Sequence, residues 1–345
     1  MLAFENPDEA LHAPRFFLMR GTVRPNFEVP DRAESLRAGL AQLGIAAATA
    51  APATEEDCAA LHSPAYLAFL RDAAAGWAAL PGAGEEVVAN MHPSPEMLAQ
   101  GATLPRHPVA QAGWYMADTA CPMGPGTWSA VLSAAGCALA AAEEAAQGRT
   151  AYALCRPPGH HAYAARAGGH CYVNNSALAA QRLRDRGARR VAVLDIDSHH
   201  GNGTQGIFWD RADVLTLSMH GDPSGYYPWF VGHAEERGGG MGTGFNRNLP
   251  LAMGTGDEGW LAALEAALEE VRSFRPDALV VALGFDASEH EPLAALRVTA
   301  DGFARAGGMI SRLRLPAAIC QEGGYAVDHL GGLLARFLTG WGDGA

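Results

Sequence analysis

The chain has no Cys-x-x-Cys, no Gly-x-Ser-x-Gly, no basic run and no apolar stretch of membrane-spanning length. Six cysteines, Cys58, Cys121, Cys137, Cys155, Cys171 and Cys320, are scattered over 345 residues. That scatter argues against a disulfide framework or a thiolate zinc site. It favours reduced thiols in a cytoplasmic protein, most of them acting as small buried hydrophobes. Lys+Arg total 25 against 37 Asp+Glu, a formal charge of −12, so the electrostatic footprint of a nucleic-acid binder is missing. An acidic chain attracts cations, polyamines and basic peptides among them. The alanine-rich run from Val131 is broken at Glu143 and Glu144, short of the ~20 apolar residues of a membrane helix. The opening residues carry early acids and no long apolar core, unlike a signal peptide. Without a nucleophile elbow there is no sign of a serine acyl-enzyme route.

What is present is globular. Hydrophobic residues make up 49% and charged residues 18%, and the 41 Gly and 21 Pro show no collagen-like period. The first eighty residues alternate polar loops with helical patterns, as over Arg32–Leu43 and Pro64–Leu80. Residues 81–111, rich in Pro and Gly and without periodicity, read as a long ordered loop or insertion, usually a functional feature at that length. From Trp128 the rhythm is regular. Helical patterns over Trp128–Gln147, Ala177–Arg186, Glu258–Phe274 (with Asp257 as its cap), Thr299–Leu313 and Val327–Leu338 alternate with apolar strands. The strands are Thr150–Cys155, Arg190–Ile196, Val214–Met219, Ala278–Leu283 and Ala317–Cys320. Such alternation predicts an α/β fold: one domain over 1–345, an open parallel sheet with helices on both faces.

Ligand sites in such sheets lie beyond the carboxyl ends of the strands. Four strands there run into Arg-Pro-Pro-Gly-His-His, Asp197 and His199, Asp286, and Glu-Gly-Gly-Tyr. In an extended segment, residues two apart share a face, which puts Asp195, Asp197 and His199 together. Asp197 and His199, with Asp286 from the later strand, make an Asp2His set that leaves a coordination position open, as catalytic zinc requires. The absence of thiolates keeps Fe(II) and Mn(II) admissible. Capping roles for these groups are the alternative, but burying so many ionisable side chains is costly unless they are paired or metal-bound. Asp195 suits an orienting role behind a neighbouring imidazole. The backbone carbonyls of Asp195, Asp197 and His199, with Ser218 and Met219, suit a monovalent cation beneath the metal.

Pro157 and Pro158 stiffen, and Gly159 bends, the loop that carries His160 and His161. A fixed imidazole is what a general base needs to take a proton from water whose pKa a metal has lowered to about 7. Gly323 and Gly324 let Tyr325 approach the same place closely, where its hydroxyl can stabilise an oxyanion.

These segments resemble the arginase/deacetylase superfamily, specifically the zinc-dependent histone deacetylases and, within them, bacterial acetylpolyamine amidohydrolases. The resemblance rests on residues 155–162 (CRPPGHHA), 168–175 (GGHCYVNN), 194–205 (LDIDSHHGNGTQ), 217–223 (LSMHGDP), 283–286 (LGFD) and 322–325 (EGGY), in family order. It implies that Asp197, His199 and Asp286 bind zinc and that His161 is general base and acid with His160 as electrostatic partner. It implies further that Tyr325 polarises the amide carbonyl, Asp195 orients His160, Asn202 contacts His161, and Asp195, Asp197, His199, Ser218 and Met219 hold potassium. His170 and Tyr227 fall where walls line the acyl channel, and residues 81–111 where relatives build a homodimer interface that narrows the entrance.

Three positions depart from the family pattern. His170 replaces Phe or Tyr and adds a polar, titratable wall. Ser198 replaces an aromatic or aliphatic residue inside the metal motif. Asp118 alone stands near the acidic gate of polyamine-selective members, slightly out of register. The implied activity is zinc-dependent hydrolysis of a small N-acylated amine, most simply an acetylated one, with no membrane or nucleic-acid partner. The alternatives are a protein acetyl-lysine deacetylase, a non-catalytic acyl-amine binding module, and an arginase-like dinuclear manganese enzyme, for which further Asp-rich motifs are missing.

Overall fold

The computed structural model describes residues 1–293 and 295–344. Ten strands form: β1 (Leu2–Glu5), β2 (Phe16–Met19), β3 (Thr22–Pro25), β4 (Ala47–Thr49), β5 (Thr150–Ala153), β6 (Val191–Asp195), β7 (Val214–Gly221), β8 (Asn246–Leu251), β9 (Ala278–Leu283) and β10 (Ala317–Gln321). Eight of them make one sheet in the order β4-β1-β5-β10-β9-β6-β7-β8, every pairing parallel. β2 and β3 form a separate antiparallel hairpin. The predicted open parallel sheet is therefore present. The strands read from sequence each agree with it to within two residues per end.

Alternation along each strand explains the layering. On β9, Leu279, Val281 and Leu283 enter one apolar core, whereas Ala278 and Val280 enter the other. Helices α1 (Asp31–Gln42), α2 (Glu55–Ala59), α3 (Pro64–Ala78), α4 (Pro95–Ala99), α5 (Pro108–Tyr115) and α6 (Thr127–Ala146) precede β5. Then come α7 (Asn175–Asp185), α8 (Asn202–Phe208), α9 (Asp257–Phe274), α10 (Ala300–Ser311) and α11 (Val327–Gly344). The larger core takes side chains of α1, α9, α10 and α11, and the small-residue core takes those of α6 and α7. Cys137, Cys155 and Cys320 pack in the second core, and all six cysteines are buried and free. No helix among the described residues is long and apolar enough to cross a membrane.

Three sequence expectations change. Asp257 does not cap its own helix: Gly256 precedes α9 without a side-chain cap, and the Asp257 carboxylate accepts from Thr299 N (2.8 Å) and Oγ1 (2.6 Å), tying α9 to the start of α10. Residues 81–111 are not structureless, since α4 and the start of α5 lie within them. Each of those helices begins with proline in its first turn after a capping Ser94 or His107. Strands β1, β2, β3, β4 and β8 went unread, the first four because they have only three or four residues each. β8 is a polar edge strand with Pro250 in it, whose buried Asn246 and Asn248 bond Gln205.

The chain contains no lysine, so guanidinium groups make its buried ion pairs. Arg32 holds Glu28 at 2.8 Å, and Arg156 holds Glu9 at 3.0 Å and Glu28 at 3.1 Å, all four side chains buried. This cluster ties the N-terminal segment to the loop after β5. His62 does similar work with neutral chemistry: Nδ1–H donates to Tyr163 O (3.1 Å), so Nε2 accepts from Asn174 N (3.0 Å). Burial pushes His62 down to about 4. Because that lies below the unfolded value near 6.5, the unfolded chain binds the extra proton, and this contribution to stability falls with pH from about 6.5 toward 4. Replacing His62 with Gln should therefore cost stability at pH 7, and the wild-type advantage should shrink by about 2 kcal/mol at pH 5. Urea unfolding of both proteins at the two pH values reads this; a pH-independent difference contradicts it.

Candidate active site

The four central strands β5, β10, β9 and β6 are consecutive neighbours, so the segments leaving their carboxyl ends meet. β6 ends at Asp195 and delivers Asp197 and His199; the loop after β9 delivers Asp286. One ligand atom from each of Asp197, His199 and Asp286 lies within 4.8 Å of the others, all three residues buried. His199 Nδ1 is 3.1 Å from Asp197 Oδ1 and 2.9 Å from Asp286 Oδ2. Backbone donors fix both carboxylates: Ser198 N reaches Asp286 Oδ1 (2.7 Å), and His199 N and Gly323 N reach Asp197 Oδ1 and Oδ2 (both 2.8 Å). Gly323 is small of necessity, for a Cβ there would lie 2.3 Å from Asp286 Oδ2 and 2.6 Å from Asp197 Oδ2.

No metal is part of this structure. The donor set, two carboxylate oxygens and one imidazole nitrogen converging without a thiolate, fits a three-ligand catalytic zinc. A second buried group, His160, Cys171 and Glu322, also clusters. Its atoms are committed elsewhere. Glu322 Oε2 accepts from Gly159 N (2.6 Å) and His160 N (3.0 Å), and its Oε1 accepts from Ser176 Oγ (2.6 Å). Glu322 is thus a strut holding the histidine loop. It stands within the Glu-Gly-Gly-Tyr motif, but its role was not legible there, because its partners lie more than 140 residues away.

His160 and His161 pack with ring centroids 4.0 Å apart. His160 Nδ1 donates to Asp195 Oδ2 at 2.9 Å, and His161 Nδ1 donates to Asn202 Oδ1 at 2.6 Å. That tautomer of His161 leaves Nε2 unprotonated. Burial opposes charge on both rings. For His160 the carboxylates of Asp195 and Asp197 outweigh burial and raise its pKa well above the usual value. For His161 burial, reinforced by neighbouring His160, lowers it well below. The two adjacent rings are thus pushed in opposite directions, His160 toward its protonated form and His161 toward its neutral one.

A cavity of about 400 Å³ opens over this group, and His161, His199, His170, Tyr227 and Tyr325 line it. Tyr227 meets His161 edge-on at 4.9 Å, and His170 lies 5.5 Å from Tyr325. His170 adopts φ +68° directly after Gly169 at +51°, where a Cβ would strike the His161 ring at 2.4 Å. Burial pushes His170 down to about 4, so this wall is polar but neutral near pH 7. Asp118 lines the cavity too, accepting from Tyr227 Oη (2.7 Å) and Gly169 N (3.1 Å). Ser198 Oγ stands 3.3 Å from Tyr226 Oη, a contact an aliphatic residue cannot make.

Behind the metal group, Asp195 Oδ1 accepts from Asp197 N (3.1 Å), and Ser218 Oγ bonds His220 Nδ1 (2.9 Å) and Gly201 N (3.3 Å). Met219 follows on β7, fully buried. Arg32 was missed by sequence reasoning. It donates from Nε to Gly324 O and from Nη2 to Glu322 O, both at 2.6 Å, and its guanidinium carbon sits 4.9 Å from the Tyr325 ring centre.

Comparison with known proteins agrees with this architecture. The histone deacetylase domain model matches residues 26–340. An acetylpolyamine amidohydrolase of Burkholderia pseudomallei is 44% identical over 99% of both chains, and acetylpolyamine amidohydrolase 1 of Pseudomonas aeruginosa is 43% identical over 99% of both. The crystal structure of an acetylpolyamine aminohydrolase from Burkholderia pseudomallei superposes with a TM-score of 0.95 at 43% identity, covering 100% of this chain and 99% of that one. The HDA15 HD domain superposes at 0.80 with 26% identity, covering 98% and 90%.

The Gly323 contact yields a test. Gly323→Ala should push aside the Asp197 and Asp286 carboxylates and lower zinc stoichiometry in the purified protein while far-ultraviolet circular dichroism is unchanged. Full zinc content in the variant contradicts the tight packing described.

Proposed function

The chain belongs to the histone deacetylase family, and from that premise we propose that it hydrolyses the amide bond of a small N-acetylated amine, with an acetylpolyamine as first candidate and zinc as cofactor. The observation that carries this is the convergence of Asp197, His199 and Asp286 at the floor of a cavity that His199, His161 and Tyr325 line. Those three residues would hold the zinc, for which Fe(II) or Mn(II) are chemical substitutes, and the ion supplies Lewis acidity toward water and the scissile carbonyl.

The protein groups perform the remaining work. His161 Nε2 takes a proton from the attacking water and delivers it to the departing amine nitrogen. Asn202 holds the tautomer that leaves Nε2 free. Asp195 keeps His160 protonated, and the adjacent positive charge favours the anionic transition state while keeping His161 neutral. The Tyr325 hydroxyl donates to the carbonyl oxygen as negative charge develops on it. His170 and Tyr227 flank the alkyl chain of the substrate. The acyl group leaves as a carboxylate and no covalent enzyme intermediate is required.

The wider assignments rest on separate supports. Potassium is proposed at Asp195, Asp197, His199, Ser218 and Met219, supported by a small pocket that two of the five, Asp195 and Ser218, line. Homodimerisation through residues 81–111 is supported by exposed Met91, Met97, Leu98 and Leu104. Six buried free thiols support a cytoplasmic location. The whole chain is taken as one catalytic domain, without nucleic-acid or membrane partners.

Activity on acetylputrescine should vanish on full chelation and return with zinc; activity that survives metal removal contradicts the proposal. Tyr325→Phe should retain zinc and lose about 10²–10³-fold in kcat, and an unchanged kcat removes Tyr325 from the chemistry. In a panel of acetylputrescine, acetylspermidine and acetyl-lysine peptides, faster turnover of the small amines is expected. Preference for the peptides moves the assignment to a protein deacetylase, and no acetate release from any of them to a binding module.

A further inference from the structure

Tyr325 lies in neither a helix nor a strand. It follows Gly324, whose φ is +117°, and precedes α11, which begins at Val327. Its own backbone N–H is outside any regular ladder, so the position of the ring depends on what that short connection is bonded to. One side is held by Arg32, which grips the carbonyls of Glu322 and Gly324. The other side is held by a residue that no motif singled out.

Glu291 sits five residues beyond Asp286 in the turn that follows β9. That turn is itself pinned, Ser288 N to Phe285 O at 3.1 Å and Glu291 N to Ser288 O at 3.2 Å. The Glu291 side chain is only 4% exposed. Its Oε2 accepts from Tyr325 N at 3.0 Å and from Ala326 N at 3.3 Å, and Oε1 stands 3.2 Å from the same Tyr325 N. A buried carboxylate is costly without such partners, and both amides would be orphaned without it. Burial and the nearby Asp286 push Glu291 up to about 8, and its oxygens accept from the two amides in either protonation state.

We propose that Glu291 is a positioning residue for Tyr325, fixing through the Tyr325 and Ala326 amides the place from which the phenol reaches the substrate carbonyl. This rests on the reading of Tyr325 as the carbonyl-polarising group. Arg32 donates to the carbonyls of the loop and Glu291 accepts from its amides, so the two clamp it through complementary hydrogen bonds. The turn bearing Asp286 is the same turn that bears Glu291. The distance between metal ligand and phenol is thereby set within one short stretch of backbone, independently of substrate.

The test is a double-mutant cycle on the zinc-loaded full chain, with 3-fluorotyrosine incorporated for ¹⁹F NMR and the Tyr325 resonance assigned from Tyr325→Phe. Glu291→Ala should lower kcat by about 10- to 100-fold, the range of a small misplacement of a reacting group, with KM and zinc content unchanged. Glu291→Gln retains an oxygen acceptor and should lose less, and it serves should the alanine variant fail to fold. In the Tyr325→Phe background either substitution should have no further effect on kcat, and in the wild-type background the Tyr325 resonance should shift or broaden while the others hold. Equal losses of kcat in both backgrounds, or an unmoved Tyr325 resonance, overturn the proposal. If Tyr325→Phe itself leaves kcat intact, the role assigned to Tyr325 is what fails, and the resonance alone then decides whether Glu291 positions the ring.

Discussion

Two carboxylates aimed at one point inside a protein set the terms for everything around them. Asp197 and Asp286 are fully buried and approach the same imidazole nitrogen of His199. Left to themselves, such charges repel, and the cost of removing them from water is far larger than the net stability of a domain. Peptide N–H groups and a dication are the natural compensation. The structure supplies three such N–H groups, Ser198 on Asp286 and His199 and Gly323 on Asp197. The parallel sheet makes that possible, because its central strands all present their carboxyl ends to one edge.

The shell around this point is built mainly from charge as well. Glu322 holds the histidine loop, Glu28 and Glu9 hold Arg32 and Arg156, and Arg32 in turn holds the tyrosine loop. Every one of these side chains is buried. Arginine suits such a shell because its planar fork bonds several acceptors at once and keeps its charge when buried. Rigid support of this kind is what a general base and an oxyanion donor require, since both lose effect when displaced by a fraction of an ångström. Three loops far apart in sequence thus behave as one unit.

Much of this was legible beforehand, and the reason is local. Asp195, Asp197 and His199 declare themselves because a buried strand such as Val-Ala-Val-Leu does not ordinarily end in so many ionisable groups. Gly159, Gly323 and Gly324 mark places where backbone passes close to something. Strand and helix periodicity was strong in the second half of the chain, and five strands there were found to within two residues per end, although α8 and β8 were not read and α11 runs six residues past the expected end at Leu338, to Gly344. Residues whose role is to contact distant backbone were not legible. Arg32 looks like any helical arginine, and Glu291 like any loop acid, until the fold brings their partners 290 and 34 residues away into reach. Short edge strands such as Ala47–Thr49 carry too few residues for a pattern. The neutrality of His170 follows from burial, which no sequence pattern displays.

The central claim is that one dication sits where those two carboxylates and His199 converge. Anomalous diffraction at the zinc edge, from crystals of the zinc-loaded protein, addresses it directly. The account predicts a single strong peak per chain beside the cavity, about 2.0–2.2 Å from His199 Nδ1 and from one oxygen each of Asp197 and Asp286. A peak held by other side chains, or none at saturating zinc, contradicts it.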